Sequence, residues 1–313
     1  MKLLEEKKFN ALVIGAGKIG SEFDSINDIN ILTHAHAYIK HNNFNLLGFY
    51  DINSEKAKIA SEKWNCKYFK NISDIAEKID VISICTPDCI HLESIKLIEN
   101  LSPKLIFLEK PIANNLKHIE SILDVSKKMP IAVNYSRRFS KEFQVIAEKI
   151  KKNKFGSFLN GCGYYGKGFI HNGSHMIDIL RLLIGEIKFI EKISEINDFY
   201  EDDPSKNANV FFDKNIKFLM TAVDCKYVSI FELDLFFEKA RIKIIDSGLK
   251  IEIYKINDDK FFDGYKKFER TEEILTDLNI SMLNAVNNIS LFLSGKEELL
   301  CDIKDGYEAI KYA

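Results

Sequence analysis

The run FNALVIGAGKIG (9–20) constrains the chain more than any other stretch. An apolar segment leads directly into Gly15, Gly17 and Gly20, spaced G-x-G-x-x-G. Glycines let a backbone turn sharply after a strand and come close to a pyrophosphate. The helix that follows then offers its N–H groups and the positive end of its dipole to that pyrophosphate. Alone the pattern is weak, because many glycine turns are only structural. Its context strengthens it. FNLLGFYD (44–51) reads as a second strand, and SEKAKIASEKW (54–64) as an amphipathic helix with Ser54 as N-cap. DVISICTP (80–87) is a continuous apolar run, as expected of a strand buried on both faces of a parallel sheet. HLESIKLIEN (91–100), KLIFLEKP (104–111), NNLKHIESILDVSKKM (114–129) and IAVNYS (131–136) continue the alternation as helix, strand, helix, strand. Residues 1–130 therefore read as a doubly wound α/β domain. The turn Gly15, Ala16, Gly17, Lys18, Ile19 would cradle a dinucleotide.

Asp51 ends the second strand, where a carboxylate would accept bonds from ribose hydroxyls. It would also repel the 2′-phosphate of NADP, so the expected cofactor is NAD rather than NADP. Asp51 lies further past the glycines than the usual spacing of about 20 residues. The excess falls in SEFDSINDINILTHAHAY (21–38), an insertion between the phosphate turn and the rest of the first helix. Its His34 and His36 read as packing or helix-start residues rather than ligands, and the insertion is placed to lean over the cofactor.

Two further segments end at the carboxyl edge of the sheet, where ligands of open α/β sheets bind. Thr86 and Pro87 follow one strand, and His91 starts the next helix, as a cofactor contact or simply a helix-start residue. Glu109, Lys110 and Pro111 end another, with Glu109 and Lys110 expected as further cofactor contacts. A charged pair closing an apolar strand costs desolvation unless it is used or paired. Pro111 restricts the backbone beside Lys110, whose ammonium could protonate or polarise a substrate oxygen.

Beyond about residue 155 the pattern changes. HNGSHMIDILRLLIG (171–185) reads as one helix, followed by KFIEKI, ANVFFD, IKFLMTAVD, YVSIFELDLFFEKARIKIID and LKIEIYKI, all with β character. Strands in succession without long helices between them argue an α+β domain, residues 131–313, with a mostly antiparallel sheet. Helices over 274–295 and in the tail DIKDGYEAIKYA close the chain. A net charge of −2 gives no broad cationic surface for nucleic acid. No apolar run approaches a membrane span, and the charged N-terminal MKLLEEKK lacks a signal-peptide core. The six scattered cysteines, without a Cys-x-x-Cys pair, read as reduced cytoplasmic thiols; Cys85 and Cys89 have no obvious base partner.

FIHNGSHMIDILR (169–181) holds two of the seven histidines, His171 and His175, four apart. A metal reading needs a third ligand, and residue 172 is Asn where zinc metalloproteases carry Glu. Gly173 would interrupt the turn between the histidines, and Ser174 is the expected N-cap of a helix starting at His175. No metal is expected. Asp178 then shares a face with His175 and could fix its tautomer, leaving the other ring nitrogen as a base.

GAGKIG, Asp51, CTP with His91, EKP at 109–111, NYSRRF at 134–139 and GSHMID at 173–178 occur in one order. Together they resemble the Gfo/Idh/MocA oxidoreductase family, over nearly the whole chain. The resemblance implies a Rossmann N-terminal domain, and a C-terminal α+β domain with a large open sheet whose outer face makes a homodimer or homotetramer. It implies hydride transfer between NAD and a sugar, nucleotide sugar or cyclitol, with Lys110 and His175 catalytic. Arg138, His171 and Asp178 would face substrate. The family often carries Asp at the position of His171, so this site departs from the pattern. Two other readings stay open: a non-catalytic NAD-bound sensor or scaffold, and a reductase of a non-sugar such as a tetrapyrrole or an imine.

Overall fold

The computed structural model describes residues 8–312, so the reading of the N-terminal segment falls largely outside the described residues. In chain order the elements begin with β1 (Phe9–Ile14), α1 (His34–Lys40), β2 (Phe44–Tyr50), α2 (Ser54–Trp64), β3 (Lys67–Phe69), β4 (Val81–Ile84), α3 (His91–Leu97), β5 (Leu105–Leu108), α4 (Leu116–Ser126) and β6 (Ile131–Val133). They continue with α5 (Lys141–Lys151), β7 (Phe158–Tyr165), α6 (Ser174–Leu183), β8 (Phe189–Ile196), β9 (Ser205–Phe211), β10 (Lys217–Ala222), β11 (Phe231–Phe237), β12 (Ala240–Ile245), β13 (Lys250–Asp258) and β14 (Lys266–Leu275). Helices α7 (Ser281–Leu293) and α8 (Ile303–Ile310) follow.

Contacts divide the chain into two compact units. One comprises Met1–Phe139 with Asn279–Tyr307, the other Ser140–Leu278 with Glu308–Ala313. The units are therefore not contiguous in sequence, whereas the sequence reading has a single boundary at 130. Helix α7, made after the whole of the second sheet, belongs to the first unit.

The first unit is a six-stranded sheet in the order β3-β2-β1-β4-β5-β6, with every pairing parallel. Strands β4 and β5 are buried at every position, which is why they read as unbroken apolar runs. The order reverses direction between β1 and β4, and such a switch point opens a crevice at the carboxyl ends of the strands. Helix α2 is capped by Asn53, whose side chain accepts from the amides of Glu55 and Lys56; Ser54, the expected cap, is the first helical residue. Asn takes the role because its carbonyl reaches the first free amides from the extended residue just before the helix.

The second unit is an eight-stranded sheet, β14-β13-β12-β11-β7-β10-β9-β8. It is antiparallel except for the β7–β10 pair. Burial alternates along β11 and β12, so one face is packed and the other is left to solvent. The packed face carries the core, where α5 (Phe143, Ile146) and α6 (Met176, Ile177, Leu180) meet Val210, Phe218, Leu233 and Ile242 of the sheet. Two strands of this sheet escaped the sequence reading. β7 contains Gly161 and Gly163, and β14 is a charged, exposed edge; neither shows apolar alternation.

Candidate functional site

In the first unit the glycine turn bends out of β1 as expected, but its helix does not. Glu22 and Phe23 donate to the carbonyls of Gly17 and Lys18 five residues back, so Lys18–Glu22 is a single wide turn. It is held from α2, where Trp64 Nε1 and Lys63 Nζ both reach the Ser21 carbonyl, at 3.1 and 2.6 Å. The chain then leaves as a loop before α1. That loop is clipped by buried Asp24, which accepts from the amides of Leu32 and Thr33, from Thr33 Oγ1 and from His36 Nδ1. Thr33 caps α1. The insertion thus carries its own buried frame, and His36 serves that frame.

A cleft of about 820 Å³ opens beside this turn. Gly15, Gly17, Lys18 and Ile19 form one wall, Asp51 and Lys56 another, and Thr86 and Pro87 a third. Phe23 of the insertion also lines it, so the insertion does lean over the cleft. Gly15 stands at φ +95° against the Cys85 backbone. Asp51 is fixed in place: Oδ2 accepts the Ala16 amide at 2.8 Å and Oδ1 accepts the Asn53 amide at 2.8 Å. The carboxylate therefore links the phosphate turn to the end of β2. Size, glycine-bare backbone and a fixed acceptor at the strand end all fit a dinucleotide.

The remaining first-unit residues lie behind or beside this cleft. His91 is 1% exposed, with Nε2 2.9 Å from the Thr86 carbonyl and Nδ1 3.2 Å from the Ile112 carbonyl. Burial lowers its pKa, and the two carbonyls offset that only in part. Its helix-start reading fits this placement. Lys110 follows β5 and is joined to Pro111 by a cis peptide bond. Arg138 lies on the turn Ser136–Phe139 with its guanidinium 3.1 Å from Asp305.

Glu109 is buried, and its Oε1 takes His34 Nε2 at 2.8 Å and Asn134 Nδ2 at 2.6 Å. His34 is fully buried and continues through Nδ1 to Ser83 Oγ, which also meets Tyr38 Oη. Burial pushes the Glu109 pKa up, yet the bonds from His34 and Asn134 and the nearby Lys110 charge overcome it and hold the carboxyl below its ordinary 4.5. A depressed carboxylate pKa adds stability that is present above the unfolded value and lost as pH falls through the folded one. Glu109→Gln is therefore expected to flatten the acid-side decline of stability below pH 4.5, read as unfolding free energy from urea titrations across pH. An unchanged decline would mean that Glu109 is not held ionised.

In the second unit His171, His175 and Asp178 lie on one continuous helical run. Gly173 does not break it: φ −59° and ψ −33° are helical, and a wide turn Phe169–Gly173 feeds straight into α6. Ser174 is accordingly not an N-cap; its backbone is already helical, and its buried Oγ has no hydrogen-bond partner. His175 and Asp178 occupy the first turns of α6, with Asp178 1% exposed and the His175 ring edge-on to Phe231. His171 pairs with Asp203 and stacks on Tyr200. Asp203 and Tyr200 are absent from the sequence reading, and Asn134 enters it only within IAVNYS and NYSRRF. No pattern marks Asp203 inside the acidic loop YEDDPS, because its partner is 32 residues away. Among the described residues, no group of three or more His, Cys, Asp or Glu side chains is arranged to hold a metal, and no helix is long and apolar enough to cross a membrane.

A parallel sheet with a glycine turn and a fixed acid over a cleft of this size defines a nucleotide-binding Rossmann unit. Residues 9–135 match the family model described as "Oxidoreductase family, NAD-binding Rossmann fold". That match is to the Gfo/Idh/MocA oxidoreductase model, and it covers the Rossmann unit, less than half of the 313-residue chain. Curated relatives include D-glucoside 3-dehydrogenase of Escherichia coli, 24% identical over 197 residues, covering 55% of this chain and 53% of the relative. Myo-inositol 2-dehydrogenase of Thermotoga maritima is 23% identical over 149 residues, covering 46% and 41%. The chain thus spans about half or less of the curated relatives it matches. Among solved structures, an oxidoreductase from Desulfitobacterium hafniense shares the fold at a TM-score of 0.78 and 14% identity, covering 97% of this chain and 93% of that one. The WlbA dehydrogenase from Bordetella pertussis, in complex with NADH and UDP-GlcNAcA, does so at 0.75 and 15%, covering 98% and 93%.

Proposed function

We propose that this chain is an NAD-dependent dehydrogenase that moves a hydride between nicotinamide and a hydroxyl-bearing carbon of a sugar, nucleotide sugar or cyclitol. The observation that carries the reading is the cleft in the first unit, where Asp51 is tied to the Ala16 amide beneath the glycine turn. The names of the curated relatives, a glucoside dehydrogenase and an inositol dehydrogenase, support the substrate class. Bound nicotinamide supplies the two-electron acceptor. Lys110 and His175 form the proposed acid–base pair: His175 takes the hydroxyl proton as the C–H bond breaks, and Lys110 stabilises the charge that builds on oxygen. Reduction runs through the same groups in reverse.

NADH formation, followed by absorbance, tests the activity over myo-inositol, glucose 6-phosphate, a methyl glucoside and UDP-N-acetylglucosamine. Formation of NADH with at least one of them is expected. No turnover with any of them, together with tight NADH binding, would favour the sensor reading.

Cofactor choice is a separate expectation. Asp51→Asn keeps an acceptor for the Ala16 amide and removes the charge that repels a 2′-phosphate. The ratio of NADPH to NADH dissociation constants is expected to fall about tenfold, equivalent to ~1.4 kcal/mol. Lys56 lines the same cleft and attracts that phosphate, so the ratio measures one charge against the other. A ratio that does not move rules out Asp51 as the discriminator.

A further inference from the structure

The insertion of the first unit is pinned on both sides of Phe23. Before it, Ser21 is 2% exposed and its carbonyl is gripped by Trp64 and Lys63 of α2. After it, Asp24 is 4% exposed and accepts the amides of Leu32 and Thr33 and the Thr33 hydroxyl, which closes residues 24–33 into a ring. The ring is tied outward as well, since the Ile31 amide donates to the Asn279 carbonyl at 2.9 Å.

Phe23 itself is bonded to the phosphate turn, its amide donating to the Lys18 carbonyl at 3.1 Å. Its backbone is thus immobilised, yet its ring is 55% exposed. It shares that exposure with Ile52, Ile90 and Leu97, at 95%, 41% and 44%, and all four side chains line the cleft beside the glycine turn. Single exposed apolar side chains are ordinary. Four of them converging on one concave surface mark a ligand that covers them. Ile52, Ile90 and Leu97 follow β2 and β4, the strands that build the cleft, whereas Phe23 is supplied by the insertion.

We propose that Phe23 is a cofactor-contact residue, a fixed aromatic cover that slows release of the bound dinucleotide, and that Asp24 is the positioning residue that holds it there. The proposal rests on the dinucleotide half of the dehydrogenase reading and not on its substrate. A ring presented by an immobile backbone loses little freedom on contact, so the apolar area it gives up to the ligand counts almost fully toward retention. The flat rings of a dinucleotide suit such a face. The cover stands in place before binding, so its loss acts chiefly on the rate of release.

Release of NADH from the full chain, timed by stopped-flow fluorescence with excess NAD as competitor, tests this. Phe23→Ala is expected to melt close to wild type, because the ring is half in solvent, and to release NADH about tenfold faster. Phe23→Tyr keeps the ring and is expected to stay within about twofold of wild type. Asp24→Asn places an N–H where an acceptor stood. It is expected to speed release when Phe23 is present and to add nothing in the Phe23→Ala background. General loosening of the fold would speed release in both backgrounds, so the double variant separates positioning from mere stability. A wild-type release rate in Phe23→Ala overturns the proposal, and equal effects of Asp24→Asn in the two backgrounds overturn the role of Asp24. A wild-type chain that binds no NADH overturns the cofactor reading together with the proposal. NADH binding without turnover of any sugar overturns only the dehydrogenase reading, and the release rates still decide the role of Phe23.

Discussion

Gly15→Ala is expected to lose dinucleotide binding and to destabilise the first unit by about 2–4 kcal/mol. Two effects add. At φ +95° any residue with a Cβ is strained. That Cβ would also lie 2.8 Å from the carbonyl carbon and oxygen of Cys85, where only backbone could give way. Cys85 precedes Thr86 and Pro87, so the displacement passes directly into another wall of the cleft. NADH fluorescence titration and urea unfolding measure the two parts. Wild-type NADH affinity in this variant would show that the cleft beside the glycine turn is not where the dinucleotide sits.

The second large effect concerns chemistry rather than binding. Lys110→Ala and His175→Ala are each expected to lower kcat by roughly 10²–10⁴, the usual contribution of a positioned acid or base, with NADH affinity retained. The double variant should be little worse than either single one, because groups that act on one proton transfer are not additive. A loss in KM for sugar with kcat intact would instead make the residue a binding group. Loss of NADH affinity in Lys110→Ala would point to disturbance of the Glu109 network next to it, not to catalysis.

Much of the first unit is legible in sequence because parallel strands buried on both faces leave unbroken apolar runs, as at Val81–Ile84 and Leu105–Leu108. The glycine turn is equally legible, since few other residues tolerate its backbone. Asp51 could be found only by accepting the long insertion, and its tie to Ala16 could not be seen at all. The second unit hid more. Its edge strand β14 is mostly charged and exposed, and β7 carries glycines where apolar residues would have flagged a strand. At the histidine pair, residue types argued for a break at Gly173 and a cap at Ser174. Tertiary contacts decide otherwise: Asp203 caps the preceding turn from outside, which lets the helical run pass through the glycine. Glu109 shows the same limit. Its cost as a buried charge was legible, but its partners His34 and Asn134 come from elements that sequence spacing does not connect.

Helix α7 has a consequence for how the chain is assembled over time. Its Met282, Ala285, Val286 and Ile289 are buried, and it serves the first unit. The bonds that bring it there span long separations: Asn43 to Ser290 and Asn30 to Asn279 join residues 247 and 249 positions apart. Synthesis from the N-terminus makes the glycine turn before this helix, which follows all eight strands of the other sheet. The nucleotide-binding half therefore cannot complete its own core by folding in order of synthesis. Its closing step waits for a segment that the second unit has to deliver.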